Sequence, residues 1–100
     1  MNTKTNSPLG SSLSEMTIEL LQRNVAFRGQ YIKSALTEKD PALLGVRLRN
    51  IVDALGGIGK LSKASGLNRS SLYKSLSGNR IPDLNTLEKI IDFAGFHISV

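Results

Sequence analysis

Three places in the chain carry side chains suited to chemistry or recognition. The first is "GLNRSSLYKSLSG", residues 66–78, where Leu67, Leu72 and Leu76 are interleaved with Asn68, Arg69, Ser70, Ser71, Tyr73, Lys74 and Ser75. Leucines at helical spacing with a polar, basic set between them suit a helix that seats on a core and offers its other residues to a polyanion. The second is "GGIGK", Gly56 to Lys60, which has the flavour of a phosphate loop. It lacks the full pattern GxxxxGK followed by Ser or Thr, and no strand leads into it, so it reads as a hinge. The third is His97, the single histidine, which has no cysteine or carboxylate cluster at ligand spacing. None of the many serines has a histidine base placed by a recognisable pattern. No metal, cofactor or catalytic residue is expected, and the chain is not expected to be an enzyme.

Charge sharpens the first of these. The formal net charge is +5, and between Ile58 and Pro82 lie Lys60, Lys63, Arg69, Lys74 and Arg80 with no acidic residue. The other eight basic residues are balanced by all eight acidic ones, so the whole net charge sits in one quarter of the chain. That is the electrostatic footprint of a polyanion binder. One hundred residues suffice for one modest core and not for two. There is no cysteine, which suits a reducing compartment. The polar opening, Met1 to Gly10, has no apolar segment of the kind a signal peptide needs, and no apolar run approaches the roughly 20 residues of a membrane-spanning helix. A cytoplasmic location with no membrane partner is expected.

The elements that must position these residues read as short amphipathic helices. "SLSE" at Ser12 to Glu15 has the form of a capping box, placing a helix start near Leu13. Apolar positions then recur through Met16, Leu20, Leu21, Val25, Phe27, Tyr31, Ile32 and Leu36 with Gly29 inside the run, which allows one bent helix or two. Asp40 followed by Pro41 predicts a cap and a first helical residue. Leu44, Leu48, Ile51 and Leu55 form the stripe of the helix that follows, with Arg47, Arg49, Asn50 and Asp53 largely away from it, and Gly56–Gly57 end it. Further on, Pro82, a cap at Asp83 and a stripe of Leu84, Leu87, Ile91 and Ala94 predict a last helix. The closing "FHISV" alternates and reads as a short strand.

Between these elements, "GKLSKASGLNRSSLYKSLSG" holds two helices too short to stand alone, so they must pack on each other. Leu61 and Ser62 face inward on the first, Gly66 permits a left-handed turn, Leu67 plugs the corner, Asn68 caps the second helix, and Leu72 and Leu76 seat it. A small residue, a glycine four positions on and an apolar residue six further is the helix-turn-helix pattern. The expected fold is therefore all-α: a small helical bundle with a short C-terminal strand. Residues 1–11 are expected as a flexible tail and 12–100 as a single helical DNA-binding domain, with the helix-turn-helix at about 59–78.

The residues also carry a family resemblance. "GKLSKASGLNRSSLYKSLSG…IPDLNTLEKIIDFAG" resembles the helix-turn-helix core of the Cro and phage-repressor class. From Tyr31 to Val100, with "ALTEKDPALL", "LYKSLSG" and "GFHISV" as its most distinctive parts, the chain resembles the addiction-module antidote proteins, a HigA-like branch of antitoxins. Ser62 stands where the class usually has alanine, and Gly59 stands at the cap position often filled by serine. The resemblance implies an antitoxin of a type II toxin-antitoxin system, which neutralises a RelE-like or HigB-like toxin and represses its own operon. Nothing in the spacing of residues points to a toxin by itself. Two alternatives stand beside it: a free-standing helix-turn-helix repressor, and a protein-interaction module that does not bind DNA.

On the DNA-binding reading the expected contacts are Lys60, Asn68, Arg69, Ser70, Ser71, Tyr73, Lys74, Asn79 and Arg80, with base reading near the start of the second helix. Tyr73 is open between groove and core rim. The implied toxin binds RNA and so presents a basic surface, which the charge clustered around the motif repels; its contact is therefore expected on Ser12 to Leu55, with Glu15, Glu19, Glu38 and Asp40 as pairing partners and Phe27 and Tyr31 as anchors or as core. A homodimer is expected because a twofold pair reads two half-sites on duplex operator DNA. Phe96, Ile98 and Val100 are candidates for its interface, by strand pairing with the mate, or else they pack on their own bundle.

Overall fold

A computed structural model describes residues 14–98. They form six helices: α1 (Glu15–Arg23), α2 (Val25–Leu36), α3 (Pro41–Ala54), α4 (Ile58–Ser65), α5 (Arg69–Ser75) and α6 (Leu84–Phe93). The first two arise from one apolar run cut by a single residue. Ser14 caps α1 by accepting from the Thr17 amide at 3.0 Å, so Glu15 is the first helical residue and not the third, as a box built on Ser12 requires. Ser12 itself, like the tail at 1–11, lies outside the described residues. At Asn24 the backbone is extended; its amide donates to the Leu20 carbonyl while its side chain accepts from the Phe27 amide at 2.9 Å. One residue thus closes α1 and opens α2, and of the two possibilities the chain takes two helices. Gly29 is not the break: it lies within α2, where a Cβ would come within 3.3 Å of the Phe96 ring.

Asp40 accepts from the Ala42 amide at 3.0 Å and Pro41 begins α3. Leu55, then Gly56 and Gly57 at positive φ, close it. Leu44, Leu48 and Ile51 point inward as their spacing requires, but so does Asn50, which is buried and donates from Nδ2 to the Tyr31 hydroxyl at 3.1 Å. A buried amide needs such a partner, and here it comes from α2. Arg47 reaches the same helix, donating to the Ser34 carbonyl at 3.1 Å and pairing with Glu38 at 3.5 Å, which fastens the α2–α3 connection.

The core draws on α2 to α6, with Leu48, Ile51, Val52, Leu61, Leu72 and Ile90 fully buried. Along α6 Ile90 and Ile91 are buried and Leu87 is half-buried, Ala94 is buried at its cap, and Leu84, expected inside, is 57% exposed. Asp83 caps α6 by accepting from the Thr86 amide at 2.8 Å. Helix α1 is tied on by buried Leu21 and by two side chains that seek carbonyls at helix ends, where intrahelical donors run out. Gln22 donates to Ala54 O at 3.0 Å. Arg28 donates to Ala94 O at 2.9 Å, Leu21 O at 2.8 Å and Gln22 O at 3.2 Å, joining α1, α2 and α6.

The expected C-terminal strand does not form: among the described residues there is no strand. A strand needs a partner ladder, and the segment is spent otherwise. The Phe96 amide donates to Ile91 O at 3.0 Å, and Phe96 and Ile98 pack half-buried against the protomer's own core while His97 between them is exposed. The alternation in "FHISV" therefore marks which residues touch the bundle. Val100 lies outside the described residues. No helix among the described residues is long and apolar enough to cross a membrane.

Candidate functional site

Helices α4 and α5 are joined by a tight turn whose parts match their residue types. Gly66 is left-handed at φ 79° and its amide donates to Ser62 O, so a Cβ there would be strained. Leu67 packs half-buried on the core, and Asn68 caps α5 by accepting from the Ser71 amide at 2.8 Å. Ser62, the residue that stands in for alanine, is used: its hydroxyl donates to Leu67 O at 2.6 Å and ties the first helix to the turn. Leu61, Leu72 and Leu76 are buried beneath the pair. The start of α4 differs from expectation. Its cap is Gly57, which has no side chain to offer, and Gly59 is the second residue inside the helix.

All nine residues expected to face DNA are exposed: Lys60, Asn68, Arg69, Ser70, Ser71, Tyr73, Lys74, Asn79 and Arg80. Tyr73 is 51% exposed, on a helix whose buried residue is Leu72. The Arg69 side chain reaches from the start of α5 back to α4, so that its guanidinium lies against Gly59. The segment carrying Asn79 and Arg80 is placed by two glycines. A Cβ on Gly45 would meet Gly78 Cα and Leu76 O at 3.2 Å, and one on Gly78 would meet Ala42 Cα at 3.2 Å. α5 ends at Ser75 with Leu76 as its cap, and Gly78, at φ 89°, lies in the loop against α3. The Asp83 carboxyl, close behind, is held below its ordinary pKa chiefly by the Thr86 amide, then by the Thr86 side chain, with a lesser contribution from the Arg80 charge.

The acidic candidates divide. Glu15 and Glu19 are exposed on α1, where Glu19 makes an exposed pair with Arg23 at 3.8 Å. Glu38 and Asp40 have structural duties: Glu38 pairs with Arg47 and accepts from the Asp40 amide, and Asp40 caps α3. Phe27 and Tyr31 are both half-buried with ring centroids 6.3 Å apart, and Tyr31 packs on the core and holds Asn50. Exposed Met16 and Val25, with Leu20, Glu19, Arg23 and Asn24, line a shallow depression of about 480 Å³ at the α1–α2 junction. Among the described residues no group of His, Asp or Glu has the arrangement of a metal site. His97 makes only a surface contact with Asp92 at 3.3 Å.

The family model described as probable addiction module antidote protein matches residues 15–100. The chain belongs to that family. The match begins at the first residue of α1, so the likeness that the sequence carries from Tyr31 onward extends over α1 and the start of α2 as well. No curated protein and no solved structure matches the chain. Membership of an antidote family implies a toxin partner of some kind. For this antidote, then, two exposed regions need a purpose: the basic segment from α4 to Arg80, and the acidic and apolar surface of α1. The second was visible in the sequence only as charge; that Met16 and Val25 lie beside Glu19 depends on the turn at Asn24.

Proposed function

We propose that this antidote binds operator DNA through α4, α5 and the loop to Arg80, in the manner of a Cro-type helix-turn-helix, and represses its own operon as a HigA-like homodimer. The supporting observation is the coincidence of three things in one segment. It carries the entire net charge, its nine polar and basic candidates are all exposed, and buried Leu61, Leu72 and Leu76 hold both helices down. Catalysis plays no part, and the protein works in the cytoplasm. Affinity for duplex DNA from upstream of its own reading frame, measured against salt, tests the DNA arm: log K falls linearly with log salt when phosphates are contacted. A salt-independent or absent interaction contradicts it.

The toxin arm rests on α1. Its partner is a RelE-like or HigB-like ribonuclease whose basic surface is repelled by the α4–α5 segment and attracted by Glu15 and Glu19. Glu38, Asp40 and Tyr31 are already engaged within the chain, which leaves the exposed face of α1 with Met16 and Val25 as the contact. Removing α1 and α2 outright is a poor test, because buried Leu21, Ile32 and Ala35 go with them. Charge reversal at Glu15 and Glu19 in the full chain is expected to abolish rescue of cells expressing the adjoining reading frame while leaving DNA binding intact. Undiminished rescue moves the contact elsewhere; an adjoining frame with no toxicity leaves a free-standing repressor. We propose a dimer contact on the side of the bundle where Phe96 and Ile98 are half-buried, and sedimentation of the full chain as a monomer contradicts it.

A further inference from the structure

Gly59 is not required by its backbone. It is the second residue of α4, and the glycines at positive φ are others: Gly56, Gly57, Gly66, Gly78 and Gly95. Alanine is the better helix former at such a position. What the missing side chain leaves open is the space the Arg69 guanidinium occupies. A Cβ on Gly59 would lie 2.7 Å from Nη2, 3.3 Å from Cζ and 3.7 Å from Nε of Arg69. Carbon and nitrogen that are not bonded do not approach to 2.7 Å, so any side chain at 59 displaces the guanidinium. Arg69 is exposed and its end is flexible, so the displacement is cheap for the fold. It is not neutral for where the charge sits. The amino end of α4 carries a positive field, which repels a guanidinium, so attraction to the helix end does not account for its place over the bare glycine.

We propose that Gly59 is a positioning residue for DNA recognition: it sets the place from which Arg69, the first residue of α5, meets the duplex. This rests on the proposal that α4 and α5 bind DNA and adds a determinant that itself touches no nucleotide. Because Gly59 acts through Arg69, its effect on binding exists only while Arg69 is present, and its effect on helix stability does not depend on Arg69 at all.

The test is a double-mutant cycle with Gly59→Ala, Arg69→Ala and the double variant. Each is measured for thermal unfolding, and for binding to the upstream duplex and to a random duplex of equal length. Gly59→Ser provides a second substitution at the site. Gly59→Ala is expected to unfold at a higher temperature than the parent yet to bind the upstream duplex more weakly, by about 5- to 150-fold, the range for loss of one arginine contact. In the Arg69→Ala background the same substitution is expected to change binding less than about twofold, whereas independent sites would lose the same factor in both backgrounds. Parental binding by both Gly59 variants overturns the inference alone, as does an equal loss with and without Arg69, which would place the effect in α4. A parent that binds neither duplex at low salt overturns the DNA reading and this inference together.

Discussion

Arg28 fastens α1, α2 and the end of α6 together, and its replacement by methionine, which keeps an unbranched apolar stem but is shorter and lacks the guanidinium, removes the polar part. Its guanidinium donates to Ala94 O at 2.9 Å, Leu21 O at 2.8 Å and Gln22 O at 3.2 Å. Hydrogen bonds to a charged group contribute about 1.5–3 kcal/mol each, and a half-exposed guanidinium belongs at the low end. The Gln22 contact is exposed and adds least, so the two part-buried bonds account for about 3 kcal/mol. Domains of this kind are stable by about 5–15 kcal/mol, so the loss is a large share. Urea unfolding followed by circular dichroism reads it: with a slope of roughly 1–1.5 kcal/mol per M, the midpoint falls by about 2–3 M. Amides of α1 are expected to lose exchange protection more than those of α3, since α1 is held by few other ties. Arg28→Lys restores the cation near the helix ends but not the span. A stability within about 0.5 kcal/mol of the parent, with α1 still protected, refutes the fastening.

Gly78→Ala places a Cβ at φ 89° and 3.2 Å from the Ala42 backbone, so a loss of about 2–3 kcal/mol is expected by chemical denaturation. An unchanged midpoint means the loop is not held on α3. Arg69→Ala is expected to cost about 1–3 kcal/mol on the upstream duplex and to relax preference at one position, whereas Lys60→Ala or Arg80→Ala weakens all duplexes alike and lowers the salt slope by about one. Equal losses on specific and random duplexes would make Arg69 a phosphate contact. Asp83 gives a pH dependence with a definite sign. Its folded pKa is depressed by the Thr86 amide, so its contribution is complete above the ordinary carboxylate pKa and disappears as pH falls through the folded value, below about pH 4. Asn caps without titrating, so Asp83→Asn should flatten the fall in urea midpoint between about pH 5 and about pH 3. Parallel acid profiles contradict this.

The features legible in the sequence are the local ones. Asp40 before Pro41, Asn68, Asp83 and Gly66 each act within four residues of themselves, and their side chains or φ angles are where those types place them. What escaped depends on partners distant in the chain. Asn50 reads as a surface residue until the Tyr31 hydroxyl arrives from α2. Phe96 and Ile98 alternate like a strand because the bundle, not a sheet, lies under every second residue. Gly29, Gly45 and Gly59 leave room for Phe96, Gly78 and Arg69, approaches that no local propensity encodes. Asn24 cut a continuous apolar run by serving two helices at once, and with that cut came the pairing of Met16 and Val25 on one surface. In the basic segment, by contrast, both the leucine seat and the exposed set follow from helical spacing, because the element that positions them is short and local.

The most direct test is titration of the isotope-labelled protein with duplex DNA from upstream of its reading frame, followed amide by amide. Binding through the basic segment moves the resonances of α4, α5 and the loop to Arg80 and leaves those of α1 in place. Shifts concentrated on α1 and α2, or no shifts at low salt, would contradict a DNA-binding role for α4 and α5.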